Sequence, residues 1–438
     1  MPTSVRATSV SDSLGARVRA ARRERGMSQA QLAGEELTKG FISQLESGAV
    51  RPSIRSLQII ATRLAKSLDY FLGDEPLSVR KRAEFFHLAS GAAYERADWP
   101  ELARIAEGAQ RLDLEPAQRS QFLRWTAQAR LGTGDPEGAF AAADEALRSA
   151  DLVGDPAGYA WILLVQGLAY ASIGQVLPAS QTFERALALV NEHEVLDGRL
   201  RTRLLMNLAT AYRRLNRTTK AVQLYESALG LANRSSDLRA VAQALMGVAV
   251  SLYDSGELDG AIAHYRRALE LFRRVADQHF ELSVLHSLAA VRYQQGEVGQ
   301  AEEYARQCYE RAQAVGDEHM AAVAQAELAR VALSKGDLSR ALEAARAAES
   351  VLARVGDVKQ RASALRTIAS AEHASGRHDD ADAHYQQAID LAASIQMYPD
   401  VSEFAAEYAQ KLRDRGAYER AFQYLEMARR NAGAQSPA

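Results

Sequence analysis

At 438 residues the chain is too long for one compact core unless it is modular or repetitive. Its 47% hydrophobic and 25% charged residues are ordinary for a soluble protein, and no apolar run reaches the ~20 residues that span a bilayer. The net charge of −2 conceals an asymmetry: residues 1–82 hold 14 Lys and Arg against 8 Asp and Glu, a balance of +6, and the remainder carries −8. A basic module joined to an acidic body points to two jobs, with nucleic acid as the natural partner of the first.

Helix formers dominate, prolines number only 10, and no stretch sustains the alternation of a strand, so an all-α fold is expected. The opening "MPTSVRATSVSDS" lacks an apolar signal core and reads as a disordered tail over 1–13. The single cysteine, Cys308, excludes an intramolecular disulfide and fits a reducing cytoplasm.

From Leu14 to Leu72 the sequence reads as five short helices. "LGARVRAARRERG" puts Leu14, Val18 and Ala21 on one face, with Gly26 as its stop. Ser28 is placed to cap "SQAQLAGEE", Thr38 to cap "TKGFISQLE", and Ser53 to cap "IRSLQIIATRLA". Ser67 then starts a final turn, "LDYFL". In the third helix Phe41, Ile42 and Leu45 point inward, leaving Lys39, Ser43 and Gln44 outside. Two short helices with long polar side chains near the start of the second form a shape that fits the major groove.

These residues resemble the helix-turn-helix domain of phage repressors and Xre-type bacterial regulators, over 14–73. The resemblance rests on Gln29, Leu32 and Ala33 in the second helix, Ile42, Leu45, Glu46 and Gly48 in the third, and Pro52 and Leu57 beyond. It implies that Gln29 holds a phosphate and that Lys39, Gly40 and Gln44, flanked by Thr38 and Ser43, face base edges. Lys donates to guanine O6 and N7, and Gln pairs with adenine N6 and N7. Arg51 and Arg55 then contact phosphates, which positions without specifying. Leu32 and Ile42 stand one residue closer than is usual in the family, so the turn must be tighter or the second helix shorter. Gly40 takes a slot where a reading side chain is often found; it either opens space for a base or reads nothing. The bland reading of the module is a helical bundle that has lost DNA binding and serves dimerisation.

After a linker over 74–84, the rest of the chain to 432 repeats itself, with a short tail over 433–438. Gly256, Gly296, Gly336, Gly376 and Gly416 recur every 40 residues, each followed by Ala261, Ala301, Ala341, Ala381 and Ala421. Ala268, Cys308, Ala348, Ala388 and Ala428 complete the register. Upstream copies at Gly134, Gly174 and Asn216, and a degenerate one near Ala97, bring the total to eight or nine. "VGD" recurs at Val153–Asp155, Val315–Asp317 and Val355–Asp357, supplying a Gly C-cap and an Asp N-cap. Such units bury their faces only against neighbours, which predicts an α-solenoid of helical hairpins.

The repeats resemble tetratricopeptide repeats, most clearly in "MNLATAYRRLNRTTKAVQLYESAL", although 40 residues exceeds the usual ~34. The resemblance implies that the first helix of each hairpin lines a concave groove. Arg203, Asn207, Thr210 and Arg213 would face it in one repeat, with Gln243 and Tyr253 in the next. An amide at Asn207 offers a peptide both donor and acceptor, and Arg203, Arg213 and Arg214 could hold a carboxylate. The bland alternative has Asn207 satisfying a helix end and the arginines solvated.

Catalytic chemistry finds no support. Cys308 takes a small-residue slot and reads as packing, and Trp125 and Trp161 read as core. The cluster of His373, His378, Asp379, Asp380, Asp382 and His384 falls on an inter-helix turn, where polar residues are expected without a metal. "LGTGDPEG" follows a helix and lacks the Lys-Ser/Thr of a phosphate loop. No enzyme, cofactor or metal is therefore expected. The combined architecture resembles bacterial peptide-sensing transcription regulators. That implies a cytoplasmic homodimer that reads double-stranded DNA and takes a peptide or protein effector in its groove. The rival reading is an interaction scaffold that sequesters a partner protein, with DNA binding secondary.

Overall fold

The computed structural model describes residues 14–34, 36–50, 52, 54–66, 70–71 and 79–432. Every element among them is helical, and the chain divides into two compact units, Met1–Thr133 and Gly134–Ala438.

The first unit opens with α1 (Leu14–Glu24), α2 (Gln29–Ala33), α3 (Lys39–Glu46) and α4 (Ile54–Leu64). Helix α1 ends as expected before Gly26, whose φ of +65° reverses the chain. Ser28 caps α2, and its box is closed by the Gln31 side chain. The close spacing of Leu32 and Ile42 is met by shortening α2 to five residues. Five residues cannot form a stable helix alone. Its last carbonyls are taken by the Arg63 guanidinium of α4, which donates to the oxygens of Leu32, at 2.9 Å, and Ala33. Val18, Ala21, Leu32, Ile42, Leu45, Ile60 and Leu64 are sealed in one core. Of the fifth expected helix, only Tyr70 and Phe71 lie among the described residues, and Phe71 is fully buried. Ser53 lies outside them.

The same unit continues with α5 (Val79–Glu95), α6 (Trp99–Gln110) and α7 (Pro116–Gly132). Helix α5 thus begins inside the segment read as linker. Trp125 is core, as expected, at 7% exposure, with its indole nitrogen donating to His87 Nδ1 at 3.4 Å.

The second unit begins with α8 (Pro136–Ser149) and continues as seven hairpins. Their first helices are α9 (Pro156–Ser172), α11 (Gly198–Arg214), α13 (Leu238–Asp254), α15 (Gln278–Gln294), α17 (Glu318–Ser334), α19 (Val358–Ala374) and α21 (Tyr398–Asp414). The returning helices are α10 (Val176–Glu192), α12 (Thr218–Arg234), α14 (Leu258–Arg274), α16 (Val298–Val315), α18 (Leu338–Val355), α20 (His378–Ser394) and α22 (Tyr418–Ala432). Asp155, Asp197, Asp237, Asp277, Asp317 and Asp357 each cap a first helix through a backbone N–H three residues on. The recurring turn glycine has φ near +80°, and where the repeat substitutes Asn216 the backbone still turns left-handed at +57°. "VGD" ends helices as expected at Gly316 and Gly356, both left-handed caps. At Val153–Asp155 the expectation fails in part. Asp155 caps α9, but Gly154 is not left-handed; its N–H and that of Val153 are held by the Asp151 carboxylate.

Successive first helices approach backbone to backbone, α9 with α11, α11 with α13, α15 with α17 and α17 with α19, whereas successive second helices meet through long side chains, Arg266 with Tyr304, Arg340 with Glu302 and Arg420 with Asp382. The first helices therefore form the inner layer of this unit and the second helices its outer one. Close approach depends on small residues: a Cβ on Gly247 in α13 would sit 2.2 Å from the Tyr225 ring of α12. Gly247→Ala is expected to lose about 2 kcal/mol by overpacking, read as a fall in the unfolding midpoint. Adding Tyr225→Leu should recover most of it; no recovery would show that the cost lies elsewhere.

Candidate nucleic-acid interface and inner groove

Helix α3 carries the residues expected to read DNA. Thr38 caps it by accepting from the Phe41 N–H at 3.1 Å, which fixes where the helix begins. Ile42 and Leu45 are buried beneath it, and Phe41 is half-buried. On the other side Thr38, Lys39, Gly40, Ser43 and Gln44 are all exposed. The structure thus places four of the eight expected DNA contacts on the exposed face of α3 and a fifth, Thr38, at its N-cap. Gln29 is half-buried, and its amide nitrogen donates to Glu46 at 2.9 Å, so this side chain is turned toward the head's interior polar group. Arg51 and the Arg55 side chain lie outside the described residues.

Glu46 is the residue whose role sequence reasoning missed. It sits at the end of α3 with its carboxylate 1% exposed, and it binds three helices together. Arg22 of α1 clamps it from Nε at 2.5 Å and Nη2 at 2.9 Å, and Gln29 of α2 adds its amide. Arg19 stands 3.5 Å from the carboxylate and donates to the Glu46 backbone oxygen at 3.2 Å. Burial alone would push this carboxyl up in pKa; the bonds from Arg22 and Gln29 outweigh it and hold the group below the usual glutamate range. The clamp is possible because α1 approaches closely: a Cβ on Gly15 would lie 2.3 Å from the Leu45 carbonyl oxygen. The hints in the sequence were the place of Glu46 in the helix-turn-helix motif, directly after the core residue Leu45, and an Arg-rich α1.

The inner layer of the second unit gathers the other expected site. Arg203 of α11 lies over the Trp161 ring of α9, 5.6 Å from its centroid, and the Trp161 indole donates to Asp197 at 2.9 Å. Asn207 donates to the Arg203 carbonyl of its own helix at 2.8 Å. Thr210 donates to the Met206 carbonyl at 2.9 Å and meets the Tyr225 hydroxyl at 2.7 Å. The other two arginines are also engaged by the protein: Arg213 pairs with Asp254 at 2.8 Å, and Arg214 donates to the Ala171 carbonyl at 3.1 Å. Gln243 and Tyr253 are half-buried on α13, and burial pushes the Tyr253 phenol up. Sequence reasoning stopped four repeats too early, because the inner layer continues as a polar tract across α15, α17, α19 and α21. Arg330 stacks over the Tyr293 ring at 4.0 Å, and Arg366 reaches Glu403 at 2.7 Å and Glu407 at 3.3 Å. His286 of α15 has a buried Nδ1 with no hydrogen-bond partner among the described residues.

Of the residues weighed against chemistry, Trp161 is half-buried rather than core, and His378, Asp379, Asp380, Asp382 and His384 lie within α20 rather than on the turn before it. Cys308 is fully buried with its thiol pushed up to about 12 by burial, which makes a reactive thiolate unattainable near neutrality. Asp382 is held by Arg415 and Arg420, and His384 by Glu372, so two of the six side chains of the His/Asp cluster are engaged in ion pairs. Among the described residues no helix is long and apolar enough to cross a membrane.

Comparison with known proteins agrees with this division. A helix-turn-helix family model matches residues 18–71, and the model of the MalT-like TPR region matches 196–356. No curated protein sequence matches. Among solved structures, a Rap protein complexed with competence and sporulation factor is 16% identical, with a TM-score of 0.62 over 81% of this chain and 97% of that one. The apo form of the quorum sensor NprR from B. thuringiensis gives 14% identity and 0.61, over 81% of this chain and 100% of that one. The Rap conjugation gene regulator of plasmid pLS20, in complex with the Phr* peptide, gives 16% and 0.55, over 81% and 94%. At these identities the likeness is one of fold. The chain is therefore all-α, an Xre-type helix-turn-helix head followed by a tetratricopeptide-like solenoid.

Proposed function

We propose that the protein is a sequence-specific DNA-binding transcription regulator of the cytoplasm, whose solenoid takes a peptide or protein effector and which acts as a homodimer. The observation that carries the reading is α3: capped at Thr38, clamped at Glu46, and presenting Lys39, Ser43 and Gln44 from a single exposed face. A helix fixed at both ends that offers only short or hydrogen-bonding side chains is suited to reading base edges. As a dimer it meets two half-sites about one helical turn, ~34 Å, or a multiple apart. The fold neighbours whose names mention a peptide complex or a quorum sensor support an effector for the inner layer. The effector acts by binding one arrangement of the dimer more tightly than another, since equal affinity would shift nothing.

Capture of genomic DNA by the wild type and by a Lys39→Ala/Gln44→Ala variant tests the reading. The wild type is expected to enrich a two-fold motif. The variant should lose that enrichment, since each base contact is worth about 1–3 kcal/mol of discrimination. Wild type that enriches no motif would overturn the regulator, and a motif retained by the variant would move the reading surface off α3.

A further inference from the structure

We infer that the exposed face of the last helix, α22, is the two-fold contact between two copies of this chain. The inference rests on the homodimer reading above and says which surface makes it. Among the described residues nothing covers the outward side of α22, and a polar face is what normally keeps an uncovered helix of a stacked-repeat protein in water. Here that face is apolar. Tyr418 is 69% exposed, Phe422 65% and Leu425 49%, while Ala421 and Ala428 on the adjoining flank are buried against the hairpin. Elsewhere in the second unit exposed apolar side chains fall at helix ends and turns: Leu152 beside Val153, and Ile173, Leu177, Leu196, Val355 and Ile395. On α22 the spacing lines up Tyr418, Phe422, Leu425 and then Arg429 along one stripe.

What identifies the occupant as a second copy is that the stripe complements itself. Tyr418 and Arg429 lie equally far from its midpoint, and so do Phe422 and Leu425. Two such helices packed antiparallel about a two-fold axis therefore set Phe422 of each copy against Leu425 of the other. They also bring each Tyr418 ring beneath the other copy's Arg429 guanidinium, a cation–π contact. Along the edge Glu419 comes within reach of Arg430 of the second copy. A parallel pairing would place Arg429 on Arg429 and is disfavoured by like charge. Among the described residues Arg429 pairs with Glu426 of its own helix, at 3.1 Å and well exposed, a contact worth little and readily exchanged. One helix face is smaller than the ~800 Å² each partner gives to a standard interface, so the dimer is expected to be of micromolar strength.

The test is light scattering and sedimentation of the full chain across a range of concentrations. Wild type is expected to shift from monomer to dimer, and Phe422→Asp to stay monomeric with an unchanged helical spectrum and melting point, because the side chain is outside the core. Glu419→Arg and Arg430→Glu should each weaken the dimer about tenfold, and the variant carrying both should regain it, an outcome that only the antiparallel pairing gives. A Phe422→Asp chain that still dimerises like the wild type overturns this surface and leaves the homodimer reading standing. A wild type that never dimerises, with or without DNA, overturns both.

Discussion

Replacing Glu46 with alanine is expected to cost the head about 3 kcal/mol and to abolish DNA binding while the solenoid stays folded. The loss exceeds that of an ordinary ion pair because Arg22, 12% exposed, would be left with its charge half sealed in the protein and no anion beside it. The head is small and its reserve correspondingly thin, so a loss of this size takes most of it. Amide exchange should show α1 to α4 losing protection together, with α9 to α21 unaffected. Unchanged protection in α3 would show that the clamp does not hold the reading helix. The pH dependence is set by the sign of the shift. Glu46 binds its proton more weakly in the folded head than in the unfolded chain. Its contribution is therefore complete above the ordinary carboxylate range and disappears as pH falls through the folded value. The gap in melting point between wild type and Glu46→Ala should be full at neutral pH and close on acidification.

The second large effect is expected at Glu372 of α19, whose carboxylate is completely buried. It is satisfied from outside: Arg346 of α18 donates at 2.8 Å, His384 of α20 sits at 2.7 Å through Nδ1, and Arg377 lies at 3.8 Å. An Arg346→Ala/His384→Ala variant strips the two close partners and leaves a buried anion. A loss of about 3 kcal/mol is expected from the uncompensated charge. Because the cost resides in the charge and not in the hairpin, adding Glu372→Met should restore most of the unfolding midpoint. If the triple variant is no better than the double, the three side chains act by packing and the electrostatic account fails.

The architecture was legible because it is written in backbone requirements. A glycine every 40 residues marks a left-handed turn, and an alanine at fixed distances after it marks where two helices must approach, so a hairpin array can be deduced from spacing alone. The same logic misled at Val153–Asp155, where an aspartate side chain performs the turn that a glycine performs elsewhere. The exposed set on α3 was also legible, since the buried Ile42 and Leu45 leave the remaining positions only one way to face. The Glu46 clamp was not, because three of its partners come from other helices and sequence spacing carries no record of which charges meet. For the same reason the inner layer was only partly read. Arg213 looked available for a ligand, but Asp254, a repeat away, holds it.

The packing of each hairpin on its immediate neighbours also has a mechanical meaning. Elements joined in series add their compliances, so the second unit bends as a row of equal springs, each contributing a small rotation. Stiffening two hairpins in the middle removes only their share of the flexing. It nevertheless redirects everything beyond them, because a fixed angle in the row is multiplied by the length of the remaining array. A ligand held on α11 and α13, as proposed, would thus be well placed to steer an end of the array, with leverage set by how many whole repeats lie on the far side.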